Sequence, residues 1–306
     1  MDKDFICIKD LSVKEIEQIF SLAARVKKNR RLYSCKLKGK TLALIFQKPS
    51  NRTRVSFEVA IYELGGNAIY LGSDDIKLGV RETTVDVART LSRYLSGIIA
   101  RTFSHDDLLE LAKYSTVPVI NGLTDLHHPC QALADIFTIK EIKNNLKGVN
   151  LSFVGDGNNV LNSLLYGCSK MGINLFIATP KKYRPDEKIL EDALRLAKES
   201  GSMISLTDNP EEAVRNCDFL YTDVWVSMGQ EDERDTRLRD FQGYQINKNL
   251  LAKAGNKPYI LHCLPAHRGE EITDEIIDGE TSVVFEQAEN RLHVQKAVLI
   301  KLIGRN

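Results

Sequence analysis

A basic cluster lies at a predicted turn between a strand and a helix. The segment KPSNRTRVSFEVA places arginines beside hydroxyl groups, namely Ser50, Arg52, Thr53 and Arg54. An apolar, strand-like run precedes it, and apolar residues at helical spacing follow it. The N–H groups of a helix start, with hydroxyl and guanidinium donors, suit a phosphate group. A capped helix start in solvent, with Ser50 or Asn51 as the N-cap, is the alternative.

Two further segments carry side chains that could act on a reacting oxygen. Arg101 ends the apolar run GIIA, and a charge at the end of a buried strand needs a partner. In HHPCQALAD, His128 and Gln131 lie at the start of a helix that a proline opens, where His128 could donate to a reacting oxygen. The alternatives are a histidine that caps a turn, or a metal set of His127, His128 and Cys130 without further ligand spacing.

The segment FVGDGNNVLNSL matches a dinucleotide-binding turn only in part. Gly155 and Gly157 are present, but Val160 stands where the third glycine belongs. The next strand-like run ends IATP, without the acidic residue that a ribose would require. A nicotinamide enzyme is therefore disfavoured. Asn158 and Asn159 remain as polar groups that could bind a carboxylate or cap the helix.

Three more candidates lie late in the chain. The segment DVWVSMGQEDE, after a strand-like run, contains Asp223 and the only tryptophan. Cys263, in HCLPAHRGEEIT, ends another such run; a cysteine there is usually structural unless a cation or oxyanion site lowers its pKa. Arg291 lies in an amphipathic helix and, taken alone, would be a surface charge.

Most of these residues follow strand-like runs that alternate with helix-like runs. This alternation predicts an α/β fold with two domains, each a parallel sheet flanked by helices on both faces. The boundary is predicted near residues 144–147, and TSVVF is predicted to complete the second set of strands. In open α/β sheets, ligands bind at the carboxyl ends of strands, which is where the candidates lie.

The composition excludes several other classes. The 306 residues suffice for two domains, and a net charge of +1 favours neither nucleic acid nor membrane as a partner. No apolar run has the length of a membrane span, and the first residues mix both charge signs. Six scattered cysteines without a CxxC pair indicate reduced thiols and a cytoplasmic protein.

Together, the ordered motifs resemble the carbamoyltransferase family along nearly the whole chain. They are SNRTRVSFE, ARTF, HHPCQALAD, GDGNN, DVWVSMG, HCLPAHRGEE and FEQAENRLHVQKA, and DxxxSMG with HCLPAHRG resembles the ornithine branch. The resemblance implies carbamoyl transfer from carbamoyl phosphate to the δ-amine of L-ornithine, giving L-citrulline and phosphate, with no cofactor and no metal. It implies a carbamoyl-phosphate-binding domain of residues 1–145, joined by a C-terminal helix of residues 286–306, and an ornithine-binding domain of residues 146–285.

The resemblance also implies residue roles. Four residues are implied to be catalytic: Arg52, Arg101, His128 and Cys263. The implied contacts of carbamoyl phosphate are Ser50, Asn51, Arg52, Thr53, Lys77, Arg101, His128, Gln131, Cys263, Leu264 and Arg291. The implied contacts of ornithine are Asn159, Asp223, Ser227 and Met228.

Two positions depart from the family pattern. Lys77 stands where the ornithine branch commonly has glutamine, and Asn51 replaces threonine or methionine. A lysine of this loop in the aspartate branch reaches a neighbouring subunit's phosphate, so Lys77 could do the same or be solvated. An active site that includes Lys77 of a neighbouring subunit requires an oligomer. The resemblance implies a homotrimer or a multiple of trimers.

Several alternatives remain open at this point. Another amine such as putrescine could be the acceptor, although putrescine lacks the α-groups that Asp223 and SMG would bind. A nucleotide-binding oxidoreductase is a more distant alternative, and a non-enzymatic homologue would be expected to lose charged groups from the site. The residues do not distinguish arginine synthesis from the reverse direction.

Overall fold

The computed structural model describes residues 2–76, 78–79, 82–227 and 229–304. The chain forms two compact units, of which the first comprises Met1–Leu133 with Asn290–Asn306 and the second comprises Ala134–Glu289. Among the described residues, no helix is both long enough and apolar enough to cross a membrane.

In the described part of the chain, the first unit contains a four-stranded, all-parallel sheet. Its strands are β1 (Thr41–Phe46), β2 (Asn67–Leu71), β3 (Gly97–Arg101) and β4 (Val119–Leu123), in the order β2-β1-β3-β4. Its first helices are α1 (Val13–Lys28), α2 (Asn51–Glu63), α3 (Ser73–Ile76), α4 (Thr84–Leu91) and α5 (His105–Tyr114). From β1 the chain passes to β2 on one side and then crosses to β3 on the other side of β1. Right-handed crossovers therefore place helices on both faces of the sheet, and the switch point lies between β1 and β3.

The second unit contains, within the described residues, a five-stranded parallel sheet. Its strands are β5 (Asn150–Val154), β6 (Asn174–Ala178), β7 (Ile204–Thr207), β8 (Phe219–Thr222) and β9 (Tyr259–His262), in the order β7-β6-β5-β8-β9. Its helices are α7 (Asn159–Met171), α8 (Glu187–Ser200), α9 (Pro210–Ala213), α10 (Arg234–Asp240), α11 (Lys248–Ala252) and α12 (Asp274–Ile277). Here the switch point lies between β5 and β8.

Local sequence signals account for the helix starts. The segment SVKE at residues 12–15 forms a capping box at the start of α1, in which Ser12 Oγ accepts from the N–H of Glu15 (3.3 Å) and the Glu15 carboxylate accepts from the N–H of Ser12 (2.9 Å). Strands such as β1 and β3 are nearly continuous apolar runs, as expected where both faces of a parallel sheet are covered, whereas the edge strands β2 and β7 are only partly buried. Every residue of β3 is buried, including Arg101 at its end.

Two helices, α6 (Pro129–Lys143) and α13 (Val284–Leu302), each contain a boundary between the units. The last turns of α13 belong to the first unit, where the buried Lys296 forms an ion pair with Glu63 of α2. The two-sheet α/β class and the return of the C-terminal helix are therefore confirmed.

One strand prediction was wrong, and the domain limits stay a prediction. In TSVVF, Ser282 forms an isolated bridge with Ile260, and α13 begins at Val284. A run of β-branched residues favours a strand, but one bridge does not extend the sheet.

The compact units divide at 133/134 and 289/290, whereas the predicted domain limits are 145/146 and 285/286.

Candidate active site

The basic turn of the first unit is a capped helix start at the end of β1. Ser50 is the N-cap of α2, and its Oγ accepts from the N–H of Thr53 (3.3 Å) and lies 3.1 Å from Thr53 Oγ1. Asn51 is exposed and Arg52 is half-buried. The cap and an anion-binding helix start are compatible, because a cap leaves other N–H groups of the first turn available.

Arg54 differs from its neighbours in this turn. Its Nε donates to Glu58 Oε1 (2.9 Å), and its guanidinium lies 3.8 Å from the centroid of the Tyr70 ring. Both partners belong to the first unit, on α2 and β2. Arg54 is thus paired with a carboxylate of its own helix and with a ring of the neighbouring strand.

His128 is buried beside three arginines. It directly precedes α6, and its pKa is well below the usual value of about 6.5 because burial disfavours the charged ring and Arg291, Arg101 and Arg52 repel it. The imidazole is therefore neutral at physiological pH. A neutral ring can donate one hydrogen bond to a developing oxyanion without needing a counter-ion.

Arg291 connects three helices of the first unit. Its Nη1 donates to Gln131 Oε1 (3.0 Å) on α6, and its Nη2 donates to Thr53 Oγ1 (3.3 Å) on α2. The side chain is 5% exposed, so the helix pattern alone would have misassigned Arg291 as a surface charge. The cationic cluster of the first unit, defined here as Arg52, Arg101, His128 and Arg291, thus borders the switch point of its sheet.

The metal alternative for His127, His128 and Cys130 gains no support from the geometry. Among the described residues, the groups whose ligand atoms approach one another closely enough to hold an ion are two others: Asp223, His262 and Cys263, and His267, Glu270 and Glu271. Burial also raises the pKa of Cys130 to about 12, which keeps the thiol protonated.

In the second unit, Asp223 and Cys263 meet because of strand register. Thr222 of β8 pairs with His262 of β9, so the next residue of each strand lies side by side. Cys263 Sγ donates to Asp223 Oδ1 (2.8 Å), which also accepts from the N–H of Val224 (2.8 Å). The buried carboxylate is thereby fixed in orientation.

Asn158 supports the same carboxylate from β5's side of the switch point. Its Oδ1 caps α7 by accepting from the N–H groups of Val160 (3.0 Å) and Leu161 (3.3 Å), while its Nδ2 donates to Asp223 Oδ2 (2.6 Å). Asn159 is the first residue of α7 and is half-buried. The cap predicted for this pair is confirmed for Asn158.

The loop after β9 rests on a buried hydrogen-bonded network. His262 Nδ1 accepts from the N–H of Leu264 (2.9 Å), so its Nε2 carries the proton that is donated to Glu271 Oε1 (3.0 Å). Gln287 Oε1 accepts from the N–H of His262 (2.9 Å), and Gln287 Nε2 donates to Asp135 Oδ1 (2.6 Å). These contacts fix Cys263 and Leu264 at the end of β9.

Sequence reasoning missed Arg237, on α10. It is buried and donates from Nη1 to Asp156 Oδ2 (3.1 Å) and to the carbonyl oxygen of Trp225 (3.0 Å). The sequence around Arg237 does not indicate its role, because Asp156 and Trp225 lie 81 and twelve positions away along the chain. Of the other predicted residues, Ser227 is half-buried, whereas Lys77 and Met228 lie outside the described residues.

Comparisons with known proteins agree with this arrangement. Two family models match: "Aspartate/ornithine carbamoyltransferase, carbamoyl-P binding domain" over residues 3–141, and "Aspartate/ornithine carbamoyltransferase, Asp/Orn binding domain" over residues 147–302. A Pyrococcus furiosus relative named "Ornithine carbamoyltransferase, anabolic" is 51% identical over 308 residues, covering 99% of this chain and 96% of the relative. A Bacillus anthracis ornithine carbamoyltransferase is 53% identical over 300 residues, covering 98% of this chain and 94% of the relative.

Solved structures give the same result. The ornithine carbamoyltransferase of Pyrococcus furiosus superposes with a TM-score of 0.96 at 51% identity, over 99% of this chain and 97% of that one. The enzyme of that name from Thermus thermophilus superposes with a TM-score of 0.90 at 45% identity, over 99% of both chains.

Proposed function

Because this chain belongs to the aspartate/ornithine carbamoyltransferase family, we propose that its first unit binds carbamoyl phosphate and its second unit binds L-ornithine. The chain transfers the carbamoyl group of carbamoyl phosphate to the δ-amine of L-ornithine, giving L-citrulline and phosphate. The neutral amine attacks the carbonyl carbon, an oxyanion develops on the carbonyl oxygen, and phosphate departs as the C–O bond breaks.

The start of α2 is the proposed phosphate site. Ser50, Asn51, Arg52 and Thr53 would surround the phosphate with hydroxyl, backbone N–H and guanidinium donors. Neutralising the departing phosphate lowers the barrier to C–O cleavage. Lys77 stays a further proposed contact, from a neighbouring subunit.

The carbonyl oxygen is the proposed target of Arg101, His128 and Arg52. Donors fixed towards developing charge are usually the largest catalytic contribution, because they need no reorganisation during the reaction. The observation that carries this proposal is a neutral His128 among three guanidiniums, since it donates without adding a charge that the cluster would have to accommodate. Gln131 and Arg291 would bind the carbamoyl group and hold each other in place.

Asp223 is the proposed partner of the ornithine α-ammonium group, and Asn159 of the α-carboxylate. Asn158, Val224 and Cys263 already orient the Asp223 carboxylate, so an ammonium group would meet a fixed acceptor. Ser227 and Met228 are proposed to complete the ornithine contacts.

Cys263 is proposed to act near the δ-amine, by hydrogen bonding or by taking its proton. The proposed contacts of Cys263 and Leu264 with carbamoyl phosphate stay predictions. Since only the neutral amine attacks, the rate is expected to rise with pH above neutrality.

Cellular role, location and assembly are also proposals. We propose arginine biosynthesis, which the name of the anabolic Pyrococcus furiosus relative supports. A cytoplasmic location is supported by the scattered spacing of the six cysteines, which is typical of an intracellular protein rather than of a disulfide framework. A homotrimer, or a multiple of trimers, is proposed from the family resemblance.

The function is tested by offering the purified protein carbamoyl phosphate with ornithine, putrescine, lysine or aspartate and measuring the ureido product. We expect strong preference for ornithine. Preference for putrescine would contradict the proposed role of Asp223 while leaving that of the basic turn intact. No product with any amine would overturn the function.

A further inference from the structure

Arg237 connects the loop after β8 to the sheet of the second unit. The specificity loop, defined here as residues 223–227, contains Asp223, Trp225 and Ser227. Arg237 is 6% exposed, and its Nη1 donates both to the Trp225 carbonyl oxygen (3.0 Å) and to Asp156 Oδ2 (3.1 Å). Asp156 follows β5, the strand that neighbours β8. One side chain therefore joins the middle of the loop to the end of an adjacent strand.

The two ends of the loop are held differently. Asp223, at its start, accepts from Asn158 and Cys263, which are distant along the chain. Two other side-chain hydrogen bonds of the described loop residues are local. Asp223 Oδ1 accepts from the next residue's N–H (2.8 Å), and the N–H of Ser227 donates to Gln230 Oε1 (3.1 Å).

Contacts across one or three positions determine the local shape of the loop but do not hold its later residues against the sheet. Arg237 links Trp225, twelve positions away, to Asp156, 81 positions away, so it holds the part of the loop that follows Asp223.

We propose that Arg237 is a positioning residue for ornithine recognition, which it serves by holding Trp225, and with it the neighbouring Ser227, in place against the sheet. This inference rests on the proposed binding of ornithine in the second unit. Arg237 acts through Trp225 rather than by touching the substrate. A displacement of about 1 Å in a substrate-positioning group can cost two orders of magnitude in rate.

Arginine is specifically suited to this position. A second donor, Nε, bonds Glu233 Oε2 (2.9 Å), and the guanidinium lies 4.7 Å from the centroid of the Tyr183 ring. A planar fork can make these contacts simultaneously, whereas a lysine ammonium is a point charge. Lysine at this position is therefore expected to restore only part of the function.

The Arg237→Met variant is expected to fold. Burial raises the pKa of Asp156 to about 7 even with the guanidinium beside it. Without that positive charge, the pKa would rise further and the carboxyl group would be protonated at neutral pH, so no unpaired buried charge would remain.

The chain contains a built-in probe of loop position. Trp225 is the only tryptophan, and its ring stacks on Phe241 with centroids 5.5 Å apart. Its fluorescence therefore reports on the specificity loop without requiring turnover.

The experiment compares Arg237→Met and Arg237→Lys with the control Arg239→Met, which alters an exposed arginine of the same helix. We expect Arg237→Met to raise the KM for ornithine about tenfold or more while the KM for carbamoyl phosphate stays within about twofold. Acrylamide should quench Trp225 more strongly in Arg237→Met, Arg237→Lys should be intermediate, and Arg239→Met should match wild type.

A purely structural role would lower the melting temperature without separating the two KM values, and that result would overturn the inference. Unchanged quenching in Arg237→Met would also overturn it. Failure of the proposed function is distinguishable, because wild type would then show no ornithine-dependent turnover, whereas the quenching comparison would still test the loop.

Discussion

The two candidate clusters solve opposite electrostatic problems. In the first unit, Arg52, Arg101 and Arg291 surround His128, so repulsion and burial keep the imidazole neutral. In the second unit, one buried carboxylate, Asp223, is oriented by three nearby donors. The first cluster thus has surplus positive charge for an incoming anion, whereas the second has one fixed negative charge for an ammonium group. The comparison suggests that anion binding here depends on summed charge and cation binding on orientation.

Removing one guanidinium should have the largest effect. In Arg101→Met, loss of a buried donor at the end of β3 is expected to lower kcat about 10³-fold, as for an oxyanion-hole donor. Steady-state kinetics with both substrates measures this effect. Arg54→Met is the matched control, since Arg54 is exposed and paired with Glu58, and it should change kcat less than about threefold. A loss of under tenfold in Arg101→Met would show that the remaining cations suffice.

Neutralising the carboxylate should have a smaller and more selective effect. Asp223→Asn keeps the shape but removes the charge, so we expect the KM for ornithine to rise about 10²-fold, equivalent to one charge-assisted hydrogen bond of about 3 kcal/mol. The KM for carbamoyl phosphate should hardly change. Asp232→Asn, at an exposed acid nearby in the sequence, serves as the control. Equal rises in both KM values would mean that orientation in the second cluster does not act on ornithine alone.

The pH dependence of stability should show the smallest effect. Because the pKa of His128 is lowered in the folded state, its stabilising contribution is present above the unfolded value of about 6.5 and is lost as pH falls below it. Between pH 7.5 and pH 5.5, the melting temperature of His128→Asn should therefore fall less than that of wild type, by about 2–4 °C. Thermal unfolding followed by circular dichroism measures the difference.

His267→Asn, at a half-exposed histidine outside the cluster, is the second His→Asn variant for comparison. If His128→Asn kept the wild-type pH dependence, the imidazole would not be neutral in the folded protein, and the contrast between the two clusters would lose its basis.

The fold was largely predictable because its signals are local. Apolar runs predicted most of the strands, and the capping box at the start of α1 is formed by residues only three positions apart. TSVVF failed since strand propensity does not reveal whether a neighbouring strand is available for pairing. A β-branched run beside a helix start is compatible with either a strand or a helix, and tertiary packing decides which one forms.

The site was predictable where its signals come from residues close in the sequence, and not where they come from distant ones. The strand-end rule identified Arg101, His128 and Asp223 from their own neighbours, although their functional roles stay predictions. Contacts between distant residues were not predictable from spacing. Arg291 and Gln131 are 160 positions apart, and only the family resemblance indicated that they share a site. Arg237 lay outside the quoted motifs and was missed.

The assignment of residues 290–306 to the first unit has a consequence for synthesis. Domains usually fold in the order in which the ribosome makes them. Most of the first unit precedes the second along the chain, but Arg291 and Lys296, which contact Gln131, Thr53 and Glu63, are translated after the whole second unit. A nascent chain can therefore complete the second unit while the first still lacks its closing helix. Of these two units, the one that is started first is the one that is completed second.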